Sequence, residues 1–135
     1  MNYERLFSPL AIGKATIKNR VVLSPMLLGF GRFDGRATER MLDYYEARAA
    51  GGAGLVITEI ARVNDRHGAG AFAQLGASQD YHIEGLAELA RRVQRHGAKL
   101  FVQLHHPGRQ NVGLLVGSLP LAIALDRRFS GFAPT

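Results

Sequence analysis

The sequence predicts an α/β fold built on a parallel sheet. Apolar runs rich in Val, Ile and Leu begin near positions 21, 55 and 100, and such runs are typical of strands buried on both faces of a parallel sheet. Helical periodicity fills both intervals between them, and this alternation favours parallel pairing. The intervals suit either a (β/α)8 barrel or a doubly wound sheet. A barrel needs about 250 residues, so a barrel chain of 135 residues would hold only three of the eight strands.

A β-hairpin is predicted ahead of the first parallel strand. Two short segments between Pro9 and Arg20 flank a Gly13-Lys14 turn, and glycine supplies the positive φ that such turns require. The strand that follows runs from Arg20 to Pro25, where it ends because proline cannot donate a ladder hydrogen bond. A loop rich in glycine and charge is expected over residues 29–36.

The first helix is predicted to begin after Thr38, a suitable N-cap, and to end at Gly51-Gly52. Its apolar stripe is formed by Met41, Leu42, Tyr45 and Ala49. The second strand spans Leu55–Ile60, and a loop over residues 61–79 follows it.

The second helix is predicted over Asp80–His96, with Glu88 and Arg92 placed to pair at i,i+4. Its apolar face is formed by Ile83, Leu86, Ala90 and Val93. The third strand, Lys99–Leu104, begins directly after Gly97, and beyond Arg109 the periodicity is lost.

Composition excludes several classes of protein. The chain contains no cysteine, so it offers no disulfide, thiolate metal site or cysteine nucleophile. The net charge of +6 comes from scattered arginines, whereas nucleic-acid binding favours a clustered basic patch. The first five residues lack the apolar core of a signal peptide, and no apolar run approaches the ~18 residues of a membrane span. We therefore expect a cytoplasmic protein with no nucleic-acid or membrane partner.

The polar residues near the strand ends are the candidates for function, because sites in α/β proteins lie at the C-terminal ends of strands. Glu59 lies in an apolar run, and we expect an ion pair with an arginine rather than catalysis. His105 and His106 are adjacent and should point to opposite sides, so a shared metal is not expected. The glycines of residues 29–35 lack the spacing of a dinucleotide-binding loop.

Gln103 interrupts the third strand with one amide. Its donor and acceptor need partners, since a buried unpaired polar group costs about 1–3 kcal/mol. Either a neighbouring strand or a bound ligand supplies them. A neutral amide suits a ring with mixed donor and acceptor edges, such as a flavin pyrimidine.

Three segments together resemble the Old Yellow Enzyme family of NAD(P)H:flavin oxidoreductases, including its 2,4-dienoyl-CoA-reductase-like members. The segments are residues 6–10 with 17–26 (LFSPL and IKNRVVLSPM), residues 54–59 (GLVITE) and residues 102–110 (VQLHHPGRQ). The resemblance implies a partial (β/α)8 TIM barrel with an N-terminal capping β-hairpin and about three of eight strands. Residues 1–135 would then be the N-terminal part of a single FMN-binding domain.

The resemblance also implies the cofactor contacts. Pro25, Met26 and Leu27 would lie against the flavin ring, Ile60 would touch it from the second strand, and Gln103 would bind its pyrimidine edge. His105 is the candidate substrate contact. Leu27 stands where many members carry Thr or Cys, and Ile60 replaces a usually small residue. The catalytic residues would come from later strands, so they are unknown here.

The implied activity is FMN-dependent reduction of an activated C=C bond. Reduced nicotinamide, NADH or NADPH, would pass hydride to flavin N5, and the flavin would pass it to a small-molecule alkene, with protonation by an acid. A homo-oligomer is compatible with this interpretation, and no metal is expected. The alternatives are a barrel enzyme without flavin, such as a lyase using Glu59 or a histidine as acid or base, and a basic binding module.

Overall fold

The computed structural model describes residues 3–108. Its elements are helix α1 (Glu4–Phe7), strands β1 (Leu10–Ile12), β2 (Ala15–Ile17) and β3 (Val22–Leu23), helix α2 (Glu39–Ala50), strand β4 (Leu55–Arg62), a 3-10 turn (Asp80–His82), helix α3 (Ile83–Gln94) and strand β5 (Lys99–His105). Arg109 and the aperiodic tract predicted after it lie outside the described residues.

The predicted parallel sheet is confirmed by the order β3-β4-β5. Val22 pairs with Leu55, and Leu55 pairs in turn with Lys99, both in parallel register. Neighbours in the sheet are therefore neighbours in the chain, as in consecutive strands of a barrel.

The predicted hairpin is also confirmed. β1 and β2 pair antiparallel, with Leu10 opposite Ile17, and Gly13 in the turn has φ +58°. Ile17 is 1% exposed, so the hairpin buries one large side chain. The short helix α1, which the sequence pattern did not predict, is joined to this region by a bond of 2.8 Å from the Arg20 N–H to the Leu6 carbonyl.

The main core lies between the sheet and the two long helices. Thr38 caps α2 as predicted, because its side chain accepts a hydrogen bond from the Met41 N–H. The four residues of the predicted α2 stripe are all buried. They form one cluster with Ala53, Val56, Ala61, Leu75, Leu89, Val93 and Ala98.

The second helix differs from its prediction. It is divided into a 3-10 turn and α3, which begins at Ile83 and ends at Gln94. Ile83, placed on the apolar face by its spacing, is 62% exposed, whereas Leu89, which the prediction omitted, is fully buried. Within α3 the buried face is centred on Leu86, Leu89 and Val93, and at about 100° per residue Ile83 lies roughly a quarter of a turn away from that centre.

The prediction that the parallel strands are buried on both faces is wrong for β3 and β5. β3 is two residues long and Val22 is 43% exposed. In β5, Leu100 and Val102 pack against the helix core, while Phe101 is 37% exposed and Gln103 is exposed. Because side chains alternate along a strand, one face meets the helices and the other faces the open side of the three-stranded sheet.

Candidate functional site

The predicted site residues gather at the C-terminal edge of the parallel sheet. Met26 and Leu27 follow β3 and are 50% and 52% exposed, and Pro25 beside them is half-buried. Ile60 of β4 lies directly across from Gln103 of β5 in the parallel register. The fold thus places an apolar segment, an isoleucine and an amide on neighbouring strands.

A β-bulge in β4 aims Ile60 at the open face. The register passes from Ile57 opposite Phe101 to Ile60 opposite Gln103, so three residues of β4 span the same interval as two of β5. One extra residue reverses the alternation of side chains. Val56 and Ala61 therefore both join the helix core although they are five positions apart. Ile60 then shares the face of Gln103.

The bulge also anchors Gln103. The Gln103 N–H donates to the Thr58 hydroxyl oxygen over 3.2 Å, and that hydroxyl donates to the Glu59 carbonyl over 2.8 Å. The backbone of Gln103 is held by the neighbouring strand, while its side chain is exposed on the open face. The contact of Gln103 with β4 is thus made by its backbone N–H, and its side-chain amide is not needed for it.

Glu59 corrects the prediction of an arginine ion pair. Its side chain is fully buried, and its partners are backbone N–H groups. One oxygen, Oε2, accepts from Leu28 at 2.6 Å and Gly29 at 3.2 Å, and Oε1 accepts from Leu75 at 2.9 Å. Several charge-assisted bonds to backbone amides can stabilise a buried carboxylate in place of a cation. A carboxylate so occupied and shielded is not placed to act as the acid or base of a lyase.

Two loops cover this edge and are bonded to each other. The β3–α2 loop donates from the Gly31 N–H to the Ala73 carbonyl of the β4–α3 loop over 2.9 Å. Gly31 is required there, because a Cβ would lie 2.7 Å from that carbonyl oxygen. Ala73 itself has φ +51°, a conformation that costs an L-residue about 1–2 kcal/mol.

His105 lies under the β4–α3 loop. A Cβ at Gly70 would come within 3.0 Å of the His105 Cε1 and 3.7 Å of the Ile60 Cδ1, so all three residues meet there. Burial, together with the nearby His106, lowers the pKa of His105. Its Nδ1 is buried and has no hydrogen-bond partner among the described residues, which is uncommon for a buried polar atom.

His106 makes a separate contact, because its Nδ1 accepts from the Gly108 N–H over 3.1 Å. The described part of the chain holds no cluster of three or more His, Asp or Glu residues suited to a metal ion.

Sequence reasoning treated residues 61–79 as a plain loop and missed Gln74. Its side chain is fully buried, and its Oε1 accepts from the Gly70 N–H over 2.8 Å. Its Nε2 has no partner within residues 3–108. The available signal was one amide in an otherwise small and apolar stretch, AGAFAQLGA.

A second network, also missed, fixes the outer side of the same loop. Asp65 accepts from Arg62 Nε at 2.8 Å, from the Ser78 hydroxyl at 2.8 Å and from the Tyr81 hydroxyl at 3.0 Å. Burial opposes ionisation of Asp65, but these donors together hold its pKa below the ordinary value. His82 completes the support, because its Nε2 lies 2.8 Å from the Asp34 carbonyl oxygen.

Comparison with known proteins identifies the family. The pattern of the NADH:flavin oxidoreductase / NADH oxidase family matches residues 5–114. The chain belongs to this family. It is 41% identical to NADH oxidase of Thermoanaerobacter brockii over 90% of this chain and 19% of that protein. Identity to NADPH dehydrogenase of Bacillus subtilis is 39%, over 92% of this chain and 37% of that protein.

Structural comparison agrees with this assignment to the NADH:flavin oxidoreductases. The Old Yellow Enzyme homologue from Zymomonas mobilis superposes with a TM-score of 0.79 and 33% identity, over 85% of this chain and 32% of that one. The chain therefore corresponds to part of an Old Yellow Enzyme TIM barrel, and it spans well under half the length of these relatives. The resemblance found in the sequence is confirmed.

The cofactor of the family is FMN, with NADH or NADPH as the reductant. The residues at the sheet edge fit such a group. An isoalloxazine ring has an apolar end and a pyrimidine edge with donors and acceptors. The same edge of the sheet holds half-exposed Met26 and Leu27 and the exposed amide of Gln103.

None of the helices in the described part of the chain is long and apolar enough to cross a membrane.

Proposed function

We propose that the protein is an FMN-dependent NAD(P)H oxidoreductase of the ene-reductase type, and that residues 1–135 are the N-terminal part of its FMN-binding barrel domain. The supporting observation is the pairing of Gln103 with Ile60 beside the exposed segment of Met26 and Leu27. These residues lie at the C-terminal edge of the sheet, where barrel enzymes hold their substrates.

Each of these residues has a distinct role in the proposal. Pro25, Met26 and Leu27 supply an apolar surface for the ring, and Ile60 excludes water from its second side. The Gln103 amide donates to and accepts from the pyrimidine edge, which fixes the orientation of the ring in its plane. FMN, when bound, supplies the hydride chemistry that joins nicotinamide oxidation to reduction of an electron-poor C=C bond.

His105 is proposed as a contact for the alkene substrate. Its neutral ring is favoured by burial, and a neutral imidazole that is half-buried at this edge can form a hydrogen bond to a carbonyl-activated alkene. The side chain of Leu27 offers no hydrogen bond to the flavin. We therefore expect the reduction potential to lack the tuning that a Thr or Cys provides in many members.

The test uses the full-length protein that contains this chain. We expect it to purify with bound FMN, to oxidise NADH or NADPH and to reduce an α,β-unsaturated ketone such as cyclohexenone under anaerobic conditions. A protein that binds FMN and oxidises nicotinamide but leaves enones and enoyl thioesters unreduced would refute the ene-reductase assignment alone. Failure to bind FMN would refute the whole proposal.

A further inference from the structure

The buried carboxylate of Glu59 joins three pieces of backbone that surround the proposed flavin site. It belongs to β4 immediately before Ile60, and its Oε2 holds the N–H groups of Leu28 and Gly29 directly after Leu27. Its Oε1 holds the N–H of Leu75 in the β4–α3 loop. Leu27 comes directly before Leu28, and Ile60 comes directly after Glu59. Each of these two predicted ring contacts is therefore adjacent in the chain to Glu59 or to a residue that its carboxylate binds.

The position of the carboxylate is itself fixed from behind. The Glu59 N–H donates to the Tyr45 hydroxyl oxygen over 2.6 Å, and Tyr45 is 1% exposed in the helix core. Burial and the nearby Glu59 raise the pKa of Tyr45, so the phenol stays neutral. Glu59 therefore connects Tyr45 of the packed core to the loop after β3 through hydrogen bonds.

We propose that Glu59 is a positioning residue for the flavin, which sets the spacing between Leu27 and Ile60. This inference rests on the proposed function. Glu59 acts through the backbone of Leu28 and Gly29 and does not itself touch the cofactor. Removing its hydrogen bonds should alter flavin binding in addition to lowering stability.

The chain offers a matched control for a merely structural role. Asp65 is also a carboxylate that ties the β4–α3 loop to β4 and accepts from three donors, Arg62, Ser78 and Tyr81. None of its hydrogen bonds involves residues 25–29. Asp65→Asn should therefore lower thermal stability without changing the geometry beside the flavin.

Glu59→Gln keeps the size and shape of the side chain. Its single carbonyl oxygen can still accept from Leu28 and Gly29, but its NH₂ group then faces the Leu75 N–H, so donor opposes donor. Turning the amide over places the same conflict at Leu28. In either orientation, one backbone segment loses its hydrogen bond to residue 59. A buried N–H group left without a partner strongly destabilises a folded protein.

The experiment titrates FMN into the apo forms of the full-length wild type, Glu59→Gln and Asp65→Asn, well below their melting temperatures. We expect the dissociation constant of Glu59→Gln to rise about tenfold or more, with a shift of the visible absorption band of bound flavin. Asp65→Asn should keep the wild-type constant and band at a lowered melting temperature. If Glu59→Gln does not fold, Glu59→Asp keeps the charge but is too short to hold both segments, and the same changes are expected.

Equal dissociation constants and bands for wild type and Glu59→Gln would overturn this inference and leave the proposed function intact. Equal weakening in Glu59→Gln and Asp65→Asn would do the same, since it would show a general loss of stability. Failure of both Glu59 variants to fold while Asp65→Asn folds would assign Glu59 to the stability of the barrel and also overturn it. A wild type that binds no FMN would refute the proposed function and this inference with it.

Discussion

At the scale of single residues, the candidate site combines an exposed amide with a strained backbone position. Gln103 exposes an amide on the open face of β5, and Ala73 adopts a positive φ that alanine disfavours. Both features sit at the C-terminal edge of the sheet. Strained backbone positions such as Ala73 are concentrated at functional sites.

Gln103→Leu should weaken FMN binding in the full-length protein by about 5- to 150-fold. The substitution keeps a similar bulk but removes a hydrogen-bond partner in a shielded site, which costs about 1–3 kcal/mol. The measurement is FMN titration into matched apo proteins. Gln94→Leu, on the exposed surface of α3, is the control and should bind FMN like the wild type. Equal affinity for Gln103→Leu would remove Gln103 from the site.

Ala73→Gly should stabilise the protein by about 0.5–1 kcal/mol. Relief of the positive φ of +51° is worth about 1–2 kcal/mol, and the added freedom of the unfolded chain offsets about 0.4–1 kcal/mol of it. Urea unfolding measures the difference. Ala71→Gly in the same loop, where φ is ordinary, should instead destabilise. A stability loss at both positions would show that the backbone at Ala73 is not strained.

At the scale of elements, one arginine joins the two long helices. Arg92 of α3 forms ion pairs with Asp43 at 2.9 Å and with Glu39 of α2, and it also bonds Glu88 of its own helix at 2.8 Å. The predicted Glu88–Arg92 pair is thus confirmed as one part of a larger network. Networks of this type contribute more than isolated surface pairs, which are worth little.

The stability of the protein should depend on pH in the acid range because of Glu88. Hydrogen bonds from Arg91 and then Arg92 lower the pKa of Glu88 from 4.5 to about 2. A depressed carboxyl pKa contributes stability that is complete above the ordinary value and is lost as the pH falls toward the folded value. The difference in urea midpoint between wild type and Glu88→Gln should therefore be constant near pH 7 and narrow below about pH 4.5. A difference that stays constant down to pH 3 would contradict this.

At the scale of the whole molecule, the described residues form an open piece of a barrel. The sheet ends at β3 on one side and β5 on the other, and Leu104 of β5 is 66% exposed. In a closed barrel, further strands would cover both edges. The exposed edges and apolar side chains therefore determine how the 135-residue chain should behave by itself.

The isolated chain is expected to self-associate or to be loosely folded. Unpaired strand edges and exposed apolar side chains favour edge-to-edge association. Size-exclusion chromatography with light scattering, together with thermal melting, measures this. A single monomer peak with a cooperative melting transition would contradict the prediction.

The isolated chain is also expected to lack ene-reductase activity. A proton donor and the residues that bind the FMN phosphate are expected from later strands of the barrel. The assay compares enone or enoyl-thioester reduction by the purified chain with a free-FMN control. Turnover above that control would overturn the prediction.

The sequence by itself determined the order of the hairpin, the parallel strands and the two long helices, and most of the helical core. Periodicity identified the parallel strands and the α2 stripe, and Thr38 and Gly13 marked a cap and a turn, because these features depend on contacts between residues close in the chain. The motifs around residues 17–26, 54–59 and 102–110 also identified the family. That resemblance also allowed us to predict Pro25, Met26 and Gln103 as residues of a site.

Only the tertiary structure decided how the site is held together. The bulge that turns Ile60 toward Gln103 depends on pairing between β4 and β5, and alternation within β4 alone does not predict it. Glu59 was expected to meet an arginine, but backbone amides from two distant loops, at Leu28 and at Leu75, satisfy it instead. Every residue offers such amides, so no sequence pattern marks which of them will converge on a buried carboxylate.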